Sequence, residues 1–144
     1  MVIELIKPEE VDKFIELRRI FAEVFEQDAP ILDEDQIKRI RDNRSFIAIG
    51  ATVGFELVGG LTAHLVTNYY QGGLDLFIYD IAIKTEHQRK GVGIELLNFT
   101  KKFCKEHHVN EMYVAAEADD ENALSYYRKT DGKEIAARFF VYEI

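Results

Sequence analysis

Residues 86–93, EHQRKGVG, lie between the apolar run Leu76–Ile83 and the helix-like stretch Ile94–His107 and hold two basic side chains, Arg89 and Lys90, and two glycines. This arrangement fixes a β-loop-α unit. DLFIYDIAI is the most continuous β-like run of the chain, expected near the sheet centre with both faces buried. Beyond the loop, Gly93, Leu96, Leu97, Thr100, Phe103 and Cys104 follow the i, i+3, i+4 rhythm of an amphipathic helix. The first turn of such a helix presents N–H groups that lack an intrahelical acceptor, and its positive end favours an anion such as phosphate. Gly91 and Gly93 permit close approach, while Arg89 and Lys90 add local positive charge to a chain of formal net charge −8. The same letters also describe a tight turn with solvated basic residues. Two other phosphate-binding patterns fail: GVGIE lacks the Gly-Lys-Ser/Thr of a P-loop, and Leu96 stands where a dinucleotide fingerprint needs a third glycine.

The rest of the chain alternates short elements. Val2–Ile6 reads as a strand, and Glu9–Phe25 as a helix on the spacing of Phe14, Leu17, Phe21 and Val24/Phe25. LDEDQIKRIR starts a second helix, with Asp33 as N-cap and Gln36 three residues on, the spacing of a capping box. SFIAIGAT and ELVGGLTAHLVT flank the short connection VGF and predict a β-hairpin. EMYVAAE reads as a strand, NALSYYRKT as a short helix with Asn122 as its N-cap, and RFFVYEI as a closing strand. The order β-α-α-β-β-β-α-β-α-β predicts an α/β (α+β) fold, helices packed on a mixed sheet.

Composition excludes several functions. At 144 residues with 47% hydrophobic content, one domain spanning 1–144 is expected, and the acidic balance repels a nucleic-acid backbone while attracting cationic partners. One cysteine, Cys104, allows neither an internal disulfide nor a Cys-rich zinc site, and no two of the four histidines have metal-ligand spacing, so no metal is expected. The N-terminal MVIELIKPEEV is not a secretory leader and no run approaches a membrane span, so the expectation is a cytoplasmic protein that engages no membrane.

QRKGVG, after IYDIAI and some thirty residues before NALSYY, resembles the Q/R-x-x-G-x-G/A loop of the GNAT superfamily of acetyl-CoA-dependent N-acetyltransferases. FAEVFE, LVGGLTAH, IYDIAI and MYVAAEADDENALSYY make the chain most similar to the aminoglycoside 3-N-acetyltransferase type I group. It departs from that group in KTDG, where Leu-Gly is common, and in Asn122, where Pro is frequent. The resemblance implies the GNAT fold, a mostly antiparallel mixed sheet flanked by about four helices. It also implies acetyl-CoA as co-substrate and two-fold dimers. Alternatives within and beyond it are a polyamine or protein amine as acceptor, or an acyl-CoA-binding module without turnover.

Acetyl transfer from a thioester to an amine requires a neutral amine, donors for the developing oxyanion and a proton for the departing thiolate. The resemblance assigns the cofactor to Gln88, Arg89, Lys90, Gly91, Val92, Gly93 and Asn122, and the oxyanion donor to a backbone N–H within Ile81, Ala82 and Ile83. It makes Tyr127 the candidate acid beside the cofactor, with Tyr126 as its competitor. Asp80, inside an apolar run, needs a partner if buried and ionised: a structural cation, or the ammonium of the substrate. The second reading, which the resemblance implies, makes Asp80 catalytic. Tyr79 would face away from Asp80 in a regular strand and join it only at a bulge. Glu117 and Asp120, in the acidic segment EADDE, are either solvated helix-start charges or carboxylates for a polycationic small-molecule amine.

Overall fold

The computed structural model describes residues 1–144. Its elements run β1 (Val2–Leu5), α1 (Val11–Val24), α2 (Glu34–Arg41), β2 (Phe46–Val53), β3 (Glu56–Thr67), β4 (Leu74–Ile83), a 3₁₀ turn (Thr85–His87), α3 (Val92–Glu106), β5 (Val109–Val114) and α4 (Glu121–Arg128). The five strands form one sheet in the order β1-β2-β3-β4-β5, antiparallel throughout except for the parallel pair β4–β5. The expected mixed, mostly antiparallel sheet with four helices is the one observed. The central strand is β3, however, and β4 lies one place from the edge.

Helices α1 and α3 are placed by their apolar stripes. Leu17, Ile20 and Phe21 bury one side of α1 against Ile6, Ala48, Leu57 and Ala82. On the opposite face of the sheet, Leu96, Leu97, Phe103 and Cys104 of α3 pack on Ile49, Ala51, Val58, Leu61, Leu76 and Ile78. Truncation of a fully buried leucine such as Leu17 or Leu96 to alanine is expected to cost about 2–5 kcal/mol. Helix α2 buries no residue, and its start is held locally by the predicted capping box: Asp33 Oδ1 accepts from Gln36 N at 2.8 Å, and Asp33 N donates to Gln36 Oε1 at 3.0 Å.

A β-bulge in β4 sets the orientation of the site. Thr62 pairs with Asp80 and Ala63 with Ile78, so Tyr79 is the extra residue. A one-residue insertion reverses the face of every side chain beyond it. Leu76 and Ile78 face α3; past the bulge Ile81 and Ile83 take that face, and Ala82 packs on the α1 side. Asp80 consequently shares the α1 side with Ala82 rather than entering the α3 core.

Two expectations at the C-terminal end are corrected. Asn122 is not the N-cap of α4; Asp120 is, its Oδ1 accepting from Ala123 N at 2.9 Å, because a carboxylate one residue before the helix reaches the N3 amide. RFFVYEI forms no strand: residues 131–144 carry no regular structure and lie exposed, since within this chain nothing pairs with their backbone.

Candidate active site

The parallel pairing of β4 with β5 runs from Leu74↔Val109 to Ile78↔Val114 and stops at the bulge. Beyond it Asp80–Ile83 is paired with β3 alone, leaving the β5-facing edge of Ile81, Ala82 and Ile83 open. An open strand edge presents N–H and C=O groups to an extended ligand. The chain then turns through the 3₁₀ turn and Gln88–Gly91 into α3. Gln88 Nε2 donates to the Ile83 carbonyl at 2.9 Å, so Gln88 braces the loop against the strand end. Arg89 (φ 56°) and Gly91 (φ 87°) are both left-handed, and a Cβ on Gly91 would meet no atom within 4 Å. The first turn of α3 has no side-chain cap, and the N–H groups of Val92, Gly93 and Ile94 have no backbone acceptor. Arg89 and Lys90 are exposed and make no hydrogen bond or ion pair. Open space, free amide donors, a helix N-terminus and two unpaired cations coincide here, and this set fits a pyrophosphate.

Helix α4 closes over this end. Gly93 lies so close to Tyr126 that a Cβ there would stand 3.2 Å from the ring, and the Tyr126 hydroxyl donates to the Gly93 carbonyl at 2.6 Å. Burial pushes the Tyr126 phenol well up, with a further contribution from Tyr127. Its hydroxyl is thus occupied in fastening α4 to α3. Tyr127 stacks edge-on against Tyr126, with ring centroids 4.9 Å apart, and its hydroxyl has no protein partner. Burial, then the charges of Asp120 and Asp80, push its pKa up to about 12. The fold therefore brings Tyr127 within the electrostatic reach of both carboxylates. The two neighbouring tyrosines, Tyr127 the expected acid and Tyr126 its competitor, have different roles available to them.

On the α1 side lies a cleft of about 370 Å³ lined by Phe14, Arg18, Phe21, Arg39, Ile40, Asn43, Phe46, Thr62, His64, Tyr79 and Asp80. The bulge puts Tyr79 and Asp80 into the same cleft, with Tyr79 65% exposed at its mouth and edge-on to His64. Asp80 is half-buried, has no ion-pair partner, and burial raises its carboxyl pKa. The structural ion pair is thereby excluded as the reason for Asp80. Glu117 and Asp120 do not line this cleft; Glu117 is exposed, and Asp120 spends one oxygen capping α4. Asn122 is exposed in the first turn of α4 and makes no side-chain hydrogen bond. Arg18 and Arg39 were not visible from the sequence. Arg18 is held by two bonds to the Pro30 carbonyl, at 3.2 and 3.3 Å, and Arg39 is exposed and unpaired.

Two other features lie apart from this chemistry. A cavity of about 330 Å³ between β1, α1, α2 and β2 shares Phe14, Ile40, Asn43 and Phe46 with the cleft but contains no carboxylate. Glu56, Glu86 and His87 bring ligand atoms within 4.8 Å of one another, yet Glu56 is already paired with Lys84 at 2.6 Å.

The Acetyltransferase (GNAT) family profile matches residues 12–132. Among curated proteins no match was found. The aminoglycoside acetyltransferase meta-AAC0020 from an uncultured soil metagenomic sample, solved in complexes with trehalose and with sisomicin, is 32% identical and superposes with a TM-score of 0.95, covering 99% of this chain and 95% of that one. The aminoglycoside acetyltransferase HMB0005, also from an uncultured soil metagenomic sample, shares the fold at 24% identity and a TM-score of 0.89, over 99% of this chain and 98% of that one. A ribosomal-protein-alanine N-acetyltransferase from Brucella melitensis biovar Abortus 2308 shares it at 17% identity and a TM-score of 0.79, over 99% and 100%. With the open edge of β4, the uncapped start of α3 and a family match over most of its length, the chain belongs to the GNAT family of acetyltransferases.

Proposed function

We propose that this acetyltransferase, as one domain spanning 1–144, moves acetyl from acetyl-CoA to a primary amine of an aminoglycoside or similar polycationic small molecule, with 3-N regiochemistry. The observation that carries the reading is Asp80: a half-buried carboxylate in no ion pair, opening into the 370 Å³ cleft and near enough for its charge to raise the unbonded Tyr127 phenol. A buried carboxylate of this kind is satisfied by an ammonium from outside. The pyrophosphate is assigned to the amides of Val92, Gly93 and Ile94, with Arg89 and Lys90 alongside and Asn122 at the edge of α4. The thioester carbonyl is assigned to the open edge of Ile81–Ile83, whose backbone N–H groups would stabilise the developing negative charge. Asp80 anchors the ammonium and takes its proton, leaving the neutral amine to attack. Tyr127 donates to the sulfur; because its phenol is raised to about 12 and a thiol titrates near ~8.5, it stabilises the departing thiolate as a hydrogen-bond donor rather than surrendering its proton outright. Glu117 and Asp120 supply negative charge beyond the cleft.

One observation favours a second acceptor class. Arg18 and Arg39 line the same cleft as Asp80, and an amine that also bears a carboxylate or phosphate would satisfy both charges. Thiol release from acetyl-CoA, measured against sisomicin and other aminoglycosides, polyamines, peptides and free amino acids, decides between them. Turnover confined to anionic amines would replace the aminoglycoside reading; release with none of the amines would sink both. No helix of the chain is long and apolar enough to cross a membrane, and we place the protein in the cytoplasm. Activity on aminoglycosides there would give antibiotic resistance. We further propose that it works as a homodimer.

A further inference from the structure

Helix α2 is eight residues long, too short to hold its shape in water by itself. Its two apolar residues, Ile37 and Ile40, are three positions apart and so share a face, yet neither is fully buried. Both line the cavity of about 330 Å³ between α2, β1, α1 and β2, where Val11, Phe14, Phe46 and Ile47 supply further apolar wall. The charged side chains around this cavity have one sign. Lys7, Arg41 and Arg44 line it with no carboxylate among the lining residues, in a chain of formal net charge −8. Glu4 and Glu10, close to Lys7 in sequence, are turned to the Lys13 ammonium and to the Lys7 backbone N–H. Arg41 is paired with Asp42 at 3.2 Å, whereas the side chains of Lys7 and Arg44 are exposed and make no hydrogen bond or ion pair.

An apolar chamber with cations at its rim suits a molecule that is apolar along its body and anionic at one end. We propose that this cavity binds a free monocarboxylate with a single medium-length alkyl chain, its carboxylate held by Arg44 and Lys7 and its chain laid between Ile37 and Ile40 on one side and Phe14, Phe46 and Ile47 on the other. Size and charge both restrict the occupant. The volume stands at the low end of the roughly 300–1,000 Å³ of small-molecule sites, which admits one short chain and excludes a two-chain lipid. The guanidinium of Arg44 matches a carboxylate with paired N–H donors, and an amine in the same place would be repelled. An occupant also gives α2 the apolar cover on Ile37 and Ile40 that the sheet leaves incomplete. The cavity shares Phe14 and Phe46 with the acceptor cleft, where Arg18 and Arg39 offer the carboxylate a rival position. Binding here involves no acetyl transfer, so it stands or falls apart from the function proposed above.

Isothermal titration of the full chain with decanoate should find one equivalent bound. Octanoate, two methylenes shorter, should bind about tenfold more weakly, as loss of buried alkyl surface requires. Decan-1-ol and decylamine, which keep the chain and change the head, should each bind at least about tenfold more weakly than decanoate. Arg44→Gln, at an exposed position where folding is not at risk, should raise the decanoate Kd about tenfold, and Ile37→Trp, which fills the cavity from α2, should abolish binding while cooperative thermal unfolding is retained. Arg39→Gln, across the shared wall, should leave the Kd within a factor of two or so. No heat of binding with decanoate overturns the proposal. Equal affinity for the alcohol or the amine overturns the role of Arg44 and Lys7. Loss of binding in Arg39→Gln with retention in Arg44→Gln overturns it by moving the carboxylate into the acceptor cleft, and uptake of several equivalents indifferent to Ile37→Trp overturns it as surface adsorption.

Discussion

The donor side and the acceptor side of the proposed site are built in opposite ways. The donor side uses backbone: the open edge of Ile81–Ile83, the left-handed turn at Gly91 and the free amides that begin α3, all within fourteen residues of Ile81 in the chain. The acceptor side uses side chains from α1, α2, β3 and β4, drawn from positions as distant as Phe14 and Asp80. Backbone donors bind what every member of an acetyl-transferring family shares, whereas the side chains of the cleft are free to vary with the acceptor. In the proposed mechanism Asp80 and Tyr127 act where the two meet.

If that division is right, substitutions should separate donor from acceptor effects. Asp80→Asn keeps the size but removes both the anchor for the ammonium and the proton acceptor. It is expected to lower kcat/KM for the amine by about 10²–10³-fold, while calorimetry finds CoA affinity within a factor of two or so. An equal loss in both would place Asp80 on the donor side. Tyr127→Phe should leave acetyl-CoA binding unchanged and lower kcat by about 10²-fold. Tyr126→Phe, which unfastens α4 from Gly93, should chiefly lower stability, by about 1 kcal/mol in denaturant unfolding. Should the Tyr126 variant lose turnover and the Tyr127 variant keep it, the roles assigned to the two rings are reversed.

On the donor side, Gly91→Val introduces a β-branched residue at φ 87° into the space left for phosphate, and CoA affinity should fall by about tenfold or more while acceptor binding holds. Unchanged affinity in the folded variant would move the cofactor elsewhere. The smallest effect belongs to Asp80 itself. Burial raises its folded-state pKa above the unfolded value, so the ionised form is a stability cost that is absent in acid and sets in as pH rises through the folded value. Asp80→Asn should therefore raise Tm by about 1 °C at neutral pH, with the gain vanishing as pH falls. A gain that grew in acid would contradict the burial that defines the cleft.

The strand–loop–helix unit, the capping box of α2, the hairpin and the acidic field were legible because each depends on neighbours in sequence: helical and strand periodicity, a glycine before a helix, an Asp three residues before a Gln. Tyr79 and Asp80 could be named from their letters, but only the register of β4 against β3 revealed that a bulge turns both to one face. Nothing local marked Arg18 or Arg39, because their place in the cleft depends on how α1 and α2 cross the sheet. The choice between Tyr126 and Tyr127 depended on one contact, the hydroxyl of Tyr126 on the carbonyl of Gly93, across 33 positions of chain. RFFVYEI carries strand propensity but pairs with no edge in this chain, and a strand exists only when another edge supplies its hydrogen bonds. The sequence by itself determined the local elements and the residue types able to do this chemistry. Tertiary structure alone decided which side chains share a face, since that depends on register and packing between segments remote in the chain.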